Sequence, residues 1–176
     1  HRKSWSKETE NLGVSLALTP QPLAEWMKIR FADAARFEQL GHKPQASAWE
    51  SVLPSFDDEH ALLAIAVRLL RDNAEWHYSP TVVEIVQVVV RIGEQKVQLI
   101  PVPDARQFGN TQKGGASWVV YKLRLNRKWS GAKLNFAVHS YLPPGVEAKV
   151  DAWVIQQWWQ ESPGPHGDGY YGDSPS

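Results

Sequence analysis

Hydrophobic and polar residues alternate in the second half of the chain, as is typical of strands in a half-buried sheet. The alternation runs through three stretches between Ser117 and Trp159, separated by Ser130-Gly131 and by Pro143-Pro144-Gly145. Successive side chains on a strand point to opposite faces, so each stretch has one apolar and one polar face. Pairing the stretches as successive hairpins places Leu125 opposite Phe136 and aligns all the apolar faces. The pattern therefore predicts an antiparallel meander with one buried and one open face.

Two further strands are expected before this meander. Val and Ile are concentrated in Thr81–Ile92, and the following Gly93-Glu94 is typical of a two-residue hairpin turn. Lys96–Val102 alternates again, so we expect a hairpin. Its first strand should lie inside the sheet, because both of its faces carry apolar residues. A helix is the competing interpretation of Thr81–Ile92, since three polar residues recur there at helical spacing: Glu84, Gln87 and Arg91.

The first half of the chain has apolar residues at steps of three and four, which predicts helices. The first helix is expected over 20–41, where Gly41 provides the stop. Two more are expected over 45–53 and 55–76. Together these elements predict an α+β fold, in which an N-terminal layer of about three helices packs on a mostly antiparallel, meander-type sheet of about five strands.

The length of 176 residues suits one domain with an arm and a tail. We expect an N-terminal arm over 1–18, a single α+β domain over 19–160, and a tail over 161–176. The tail is rich in Gly, Pro and Ser, a composition typical of disorder. Two of its residues, Tyr170 and Tyr171, are expected to pack on apolar surface.

Charge and cysteine content exclude several classes of protein. Lys and Arg number 19, as do Asp and Glu, so the net charge is zero and a dedicated nucleic-acid binder is not expected. The hydrophobic share of 43% is ordinary for a soluble globular domain. Without cysteine the chain has no disulfide framework, thiolate metal site or cysteine nucleophile. That absence fits the cytoplasm and the bacterial periplasm equally, so the compartment stays open.

No stretch approaches the ~20 apolar residues that a membrane-spanning helix needs. The chain begins at His1 rather than Met, which indicates a piece of something longer. Basic residues follow at Arg2, Lys3 and Lys7, as can be found beside a membrane anchor. An upstream anchor is therefore one interpretation, and a solvated arm after a tag is the other.

No catalytic, cofactor or metal motif is recognisable. Asp57-Asp58-Glu59-His60 has ligand-type side chains, but consecutive residues of a helix fan around its axis and cannot converge on one ion. The glycines Gly109, Gly114 and Gly115 lack the spacing of a phosphate loop. We therefore expect no cofactor, no metal and no catalytic residue of a known type.

The open face of the meander is the expected binding surface. Nine tryptophans are present in the chain, and Trp153 would lie at the centre of this face. Arg and Trp are over-represented among the residues that dominate interfaces, whereas the plain alternative is a solvated face of weakly paired charges. The candidate binding residues are Lys122, Arg124, Lys128, Lys133, His139, Trp153 and Trp159.

These features favour a non-enzymatic protein-interaction or scaffolding domain of a larger, multi-subunit assembly that could be tethered to a membrane. The partner is expected to be a protein, including a second copy of the chain. The alternative is a carbohydrate-binding module that uses Trp153 and Trp159 as platforms. The third interpretation is an enzyme whose acid and base lie far apart in the sequence.

Overall fold

Two antiparallel sheets packed face to face dominate the computed structural model, which describes residues 3–6, 14–56, 61–76, 84–101, 118–155 and 158–161. Within these residues the strands are accompanied by one short helix, α1 (Ala34–Gln39), and by two 3₁₀ turns, Glu25–Met27 and Arg127–Trp129. The strands in chain order are β1 (Lys3–Ser6), β2 (Val14–Ser15), β3 (Thr19–Gln21), β4 (Lys43–Val52), β5 (Leu62–Arg71), β6 (Ala74–Glu75), β7 (Val86–Ile92), β8 (Gln95–Val97), β9 (Ile100–Pro101), β10 (Trp118–Arg124), β11 (Lys133–Leu142), β12 (Val146–Ile155) and β13 (Trp158–Glu161).

The strands form two large sheets. Sheet I has the order β2-β12-β5-β10-β9, with β6 paired to the end of β5. Sheet II has the order β3-β4-β11-β7-β8. A separate two-stranded sheet joins β1 to β13, with Trp5 opposite Trp159. All of these pairings are antiparallel, so the fold is a β-sandwich.

The core lies between the two sheets. Ile65 and Val67 of β5 face Leu134 and Phe136 of β11 across it, and all four are buried completely. Removing this apolar surface from water is the main force that holds the sheets together. One polar contact also crosses the core, because the Tyr121 hydroxyl donates to the main-chain carbonyl oxygen of Val86 at 3.2 Å.

The segment between β3 and β4 covers the outer face of sheet II. Met27 packs on Ala48 and Ala137, whose small side chains leave room for it. Further along, Phe31 meets Tyr141 edge to face, with ring centroids 5.0 Å apart. This cover explains why β4 and β11 carry apolar residues on both faces.

The predicted α+β fold is wrong, since the described residues are mostly strand and contain no layer of three helices. Of the helix expected over 20–41, only α1 is α-helical, and the rest consists of the end of β3, a 3₁₀ turn and irregular stretches. The three- and four-residue spacing arises because three side chains are buried from different kinds of structure: Met27 in the 3₁₀ turn, Phe31 in an irregular stretch and Phe37 in α1. Tertiary packing therefore overrides the local pattern. Gly41 does end α1, with φ of +81°.

The helices expected over 45–53 and 55–76 are also wrong, because β4 and β5 occupy those stretches. Residues 62–67 of β5 are buried on both faces of sheet I. A continuous apolar run of this length does not distinguish an interior strand from a buried helix. In β4, Trp49 stacks on Phe136 in the core, and Ala48 lies under the cover on the other face. The alternation of apolar and polar residues that would indicate a strand is therefore absent from both β4 and β5.

The predicted meander has the right strands and the wrong partners. Phe136 lies opposite Trp49 and Val90 rather than Leu125. The turns at 130–131 and 143–145 carry the chain from one sheet to the other, so β10 and β12 belong to sheet I and β11 to sheet II. Alternation shows which face of a strand is buried and does not show its neighbour.

The hairpin of β7 and β8 is confirmed, with Gly93 at φ of +60° in its turn. As predicted, β7 is an interior strand, because it pairs with β11 as well as with β8. Three features of the sequence lie outside the described residues: the cluster 57–60, the glycines Gly109, Gly114 and Gly115, and the tyrosines Tyr170 and Tyr171, whose packing stays a prediction.

Candidate interaction surface

The predicted binding residues do not share one face. Lys122, Arg124 and Trp153 lie on the outer face of sheet I, where they flank β5 on its two sides. Lys133 and His139 lie on the outer face of sheet II, which is on the opposite side of the sandwich. The two remaining residues belong to neither face: Lys128 is in a 3₁₀ turn, and Trp159 is in β13, where its side chain lies outside the described residues.

The sequence predicts an exposed His139 among lysines, whereas the structure shows it buried under the segment that covers sheet II. Its Nε2 lies 2.8 Å from the main-chain carbonyl oxygen of Met27. A carbonyl can only accept, so Nε2 carries the proton. Burial lowers the pKa of His139 below its ordinary value of 6.5, and the hydrogen bond to Met27 opposes that change. His139 therefore fastens the cover to β11.

Lys128 and Lys133 are exposed, and each has a local contact. The Lys128 ammonium lies 5.9 Å from the centroid of the Trp129 ring. Lys133 Nζ is 3.6 Å from a carboxylate oxygen of Glu50 on the neighbouring strand. Exposed contacts of this kind contribute little to stability. Neither lysine lies near Trp153, so the two do not extend the surface around it.

The outward residues of β12, β5, β10 and β9 form a regular surface, which we call the Trp153 face. One row across it runs from Trp153 through Ala64 and Lys122 to Ile100. Trp153 is half-buried and packs on Ala64 and Ala66, whereas Ile100 is 68% exposed. Because the neighbouring residues of β5 are alanines, the Trp153 ring projects above the surface beside it.

A depression of about 320 Å³ lies next to the Trp153 ring. Ala66 forms its floor, and three charged side chains surround it together with the ring: Arg68, Glu75 and Asp151. Arg68 and Glu75 form an ion pair at 3.8 Å, and each is about half exposed. The depression thus offers one flat apolar wall and polar groups of both signs.

The sequence did not indicate Ala66, Arg68 and Glu75, because they lie in a stretch whose pattern predicts a helix. One signal could have corrected this. Asp72-Asn73 follows the apolar run, and both residues have positive φ, 53° and 63°, in the turn between β5 and β6. Asp and Asn tolerate that region and are common in two-residue hairpins.

A second cavity, of about 340 Å³, lies between the segment 29–38 and the start of β4. His139, Tyr141 and Glu38 line it, and these residue types could serve in acid–base chemistry. The Tyr141 hydroxyl donates to Glu38 at 3.4 Å, and burial together with the Glu38 carboxylate raises the pKa of Tyr141. Nε2 of His139 is already bonded to Met27. The described contacts therefore fix the cover in place and do not pair a nucleophile with a base.

Among the residues that the structure describes, no cluster of three or more His, Cys, Asp or Glu could hold a metal ion, and no helix is long and apolar enough to cross a membrane. Comparison of the chain with models of protein families, with curated proteins and with solved structures gives no match. Any proposal about its function therefore rests on the sequence and structure of this chain.

Proposed function

We propose that the chain is a non-enzymatic interaction domain that docks a protein partner of a larger assembly on the Trp153 face. The observation that supports this proposal is the partly exposed Trp153 ring beside a depression with an alanine floor on a regular sheet surface. Tryptophan combines a large apolar area with few rotatable bonds, so it loses little entropy when a partner covers it. Such residues dominate the binding energy of many interfaces.

The surroundings of Trp153 have the composition of an interface centre with a polar rim. Ala64 and Ala66 contribute apolar floor, and charged residues of both signs surround them. Lys122 and Arg124 on β10 place positive charge on the side away from Trp153. The partner is therefore expected to insert one apolar side chain beside the ring and to present acidic residues over β10.

Site-specific photo-crosslinking in the native source tests this docking. A photoreactive residue at Ile100, which lies on the Trp153 face, is expected to capture one defined partner. The same residue at Val52 is the matched control, because Val52 is similarly exposed, at 61% against 68%, on the outer face of sheet II. Trp153→Ala in the Ile100 version should abolish the capture while the circular dichroism of the domain is unchanged.

Equal capture from Ile100 and Val52, or capture that survives Trp153→Ala, would contradict docking on this face. The experiment should use the intact gene product, because assembly with other subunits is part of the proposal. Membrane tethering is supported only by the basic residues Arg2, Lys3 and Lys7. Fractionation of the intact product between membrane and soluble pools tests that part separately.

Carbohydrate binding is the second candidate, and the rim of the depression favours it. A sugar ring can lay its C–H face on Trp153, while Asp151, Glu75 and Arg68 are within the same depression to bind hydroxyl groups. A glycan array followed by tryptophan fluorescence titration tests this. Quenching by a defined sugar that is lost in both Trp153→Ala and Asp151→Asn would favour the sugar over the protein, since a docked protein depends far less on one rim carboxylate.

A further inference from the structure

Within the part of the chain that the structure describes, the first half of β12 is a free sheet edge. β2 pairs with β12 only at Trp153 and Val154, and one more bond joins Leu16 N–H to the Ala152 carbonyl oxygen at 3.3 Å. After Leu16 the chain turns away from β12 and continues into β3 of sheet II. Among the described residues, no strand covers this side of β12 between Val146 and Asp151. An uncovered edge of this length is a template for pairing with another chain.

Main-chain groups on this edge are available for hydrogen bonds. Ala152 directs its carbonyl toward β2, and the direction alternates along an antiparallel strand, so the N–H and C=O groups of Ala148 and Val150 also point outward. Three other edge segments of the two sheets contain proline, which lacks the N–H donor: Pro20 in β3, Pro44 in β4 and Pro101 in β9. The free stretch of β12 contains no proline.

We infer that β12 pairs with β12 of a second copy of this chain, antiparallel, about a two-fold axis at Ala148. In that register Glu147 faces the partner's Lys149, and Lys149 faces the partner's Glu147. On the inner face, Val146 meets the partner's Val150. Every cross-strand pair between Val146 and Val150 is then either opposite in charge or apolar on both sides, which is the arrangement that stabilises sheets.

The neighbouring register that keeps the same faces is unfavourable. It moves the axis to Lys149, which then faces its own copy, and sets Glu147 against the partner's Asp151. A shift the other way moves the axis to Glu147, which then faces its own copy, and leaves Lys149 opposite the partner's Gly145. A second step beyond Lys149 would require residues 152–154, which already bond to β2 and Leu16. The free stretch is therefore complementary to itself in one register only, as an isologous interface requires.

Pairing about this axis joins the two copies of sheet I into one continuous sheet. Outward residues stay outward under a two-fold axis perpendicular to the sheet, so both Trp153 faces point to the same side. The inference goes beyond the proposed docking and does not depend on it. A dimer would, however, present two docking surfaces side by side and raise the avidity for a repetitive partner.

Charge reversal on the exposed pair tests the inference. Glu147→Lys sets two lysines against two lysines in a dimer, and Lys149→Glu sets two glutamates against two glutamates. Each variant alone should self-associate at least ~10-fold more weakly than the unmodified chain. An equimolar mixture of the two variants should recover the dimer, because each chain then meets opposite charges. Asp151→Lys is the matched control, since Asp151 faces Gly145 of the partner subunit and should leave the mass unchanged.

The measurement is the molar mass by light scattering and sedimentation, up to about 300 µM chain, because a small edge-to-edge interface gives weak affinity. Three results would overturn the inference: an unmodified chain that stays monomeric throughout, single variants that dimerise like the unmodified chain, or a mixture that stays monomeric. None of these bears on the docking of a partner at Trp153, which photo-crosslinking at Ile100 reports independently.

Discussion

Nε2 of His139 on β11 donates a hydrogen bond to the main-chain carbonyl oxygen of Met27, 2.8 Å away. The two residues are far apart in the sequence, and their bond holds the cover of sheet II on its outer face. Because burial lowers the pKa of His139, the folded state binds a proton less readily than the unfolded chain, whose histidine titrates near 6.5. The stabilisation is therefore complete above pH 6.5 and is lost as the pH falls below that value.

We expect the free energy of unfolding, measured by urea denaturation, to decrease between pH 7 and pH 5.5. His139→Gln keeps a donor for Met27 and removes the titration, so this variant should lose less stability over the same range. His139→Ala leaves the buried carbonyl unpaired and should cost about 1–3 kcal/mol at pH 7. A pH dependence that is identical in the glutamine variant would show that another group causes it.

Tyr121→Phe is expected to destabilise the domain by about 1–2 kcal/mol, because it removes the bond to Val86 that joins the two sheets and leaves the carbonyl unpaired. Tyr141→Phe is the control and should cost less, since its contact with Glu38 is longer, at 3.4 Å. Burial also raises the pKa of Tyr121 above its ordinary value of 10.0. The unmodified chain should therefore lose more stability than Tyr121→Phe as the pH rises above 10.

Asn73 lies at the second position of the turn between β5 and β6, with φ of +63°. Asn73→Gly should leave the melting temperature unchanged or raise it, because glycine adopts positive φ without steric cost. Asn73→Val should lower the stability by about 1–2 kcal/mol, the usual cost of this conformation for a side chain branched at Cβ. Equal melting temperatures for the two variants would contradict the turn geometry.

A disulfide between Val52→Cys and Lys133→Cys tests the sheet topology. These residues face each other on β4 and β11, and both are exposed. Leu53 N–H bonds to Ala132, so Val52 and Lys133 form the non-hydrogen-bonded kind of pair, in which the Cβ atoms are close. Because the chain has no cysteine, oxidation should give one intramolecular bond, detected by mass spectrometry.

The control combines Lys133→Cys with Lys122→Cys, which lies on the outer face of the other sheet. Packed sheets are about 10 Å apart before the outward side chains are counted, so this pair cannot close without unfolding. Ready oxidation of the control, or failure of the first pair, would disagree with the assignment of β10 and β11 to different sheets.

Local features of the fold could be predicted from the sequence. The β7–β8 hairpin follows from Gly93 and the β-branched residues before it, and Gly145, at φ of +83°, provides the predicted turn after β11. The positions of β10, β11 and β12 follow from alternation. Their partners do not, because Leu123 can align its apolar face as well with Val138 as with its actual partner Leu63.

The first half of the fold was predicted wrongly because two of its strands are covered on both faces. Ala64 of β5 is buried outside the core, and Ala48 of β4 lies beneath Met27, so neither strand shows a simple alternation. The candidate surface was affected in the same way. Trp153, Lys122 and Arg124 could be placed on one outward face from β10 and β12, whereas Arg68 and Glu75 required knowledge of β5 and β6.

The passage of the chain between sheets at each late turn has a consequence for how the molecule is made. In sheet I, Val67 pairs with Val150, and in sheet II, Trp49 pairs with Phe136. Neither sheet can therefore be completed before strands that are synthesised much later have emerged. A nascent chain that has reached β10 still lacks β11 and β12, and its apolar strands have only incomplete partners. Folding is slow when a long loop must be closed before the contacts that stabilise it can form. β11 and β12 are made after the other strands of the two large sheets, and they therefore complete both halves of the sandwich together.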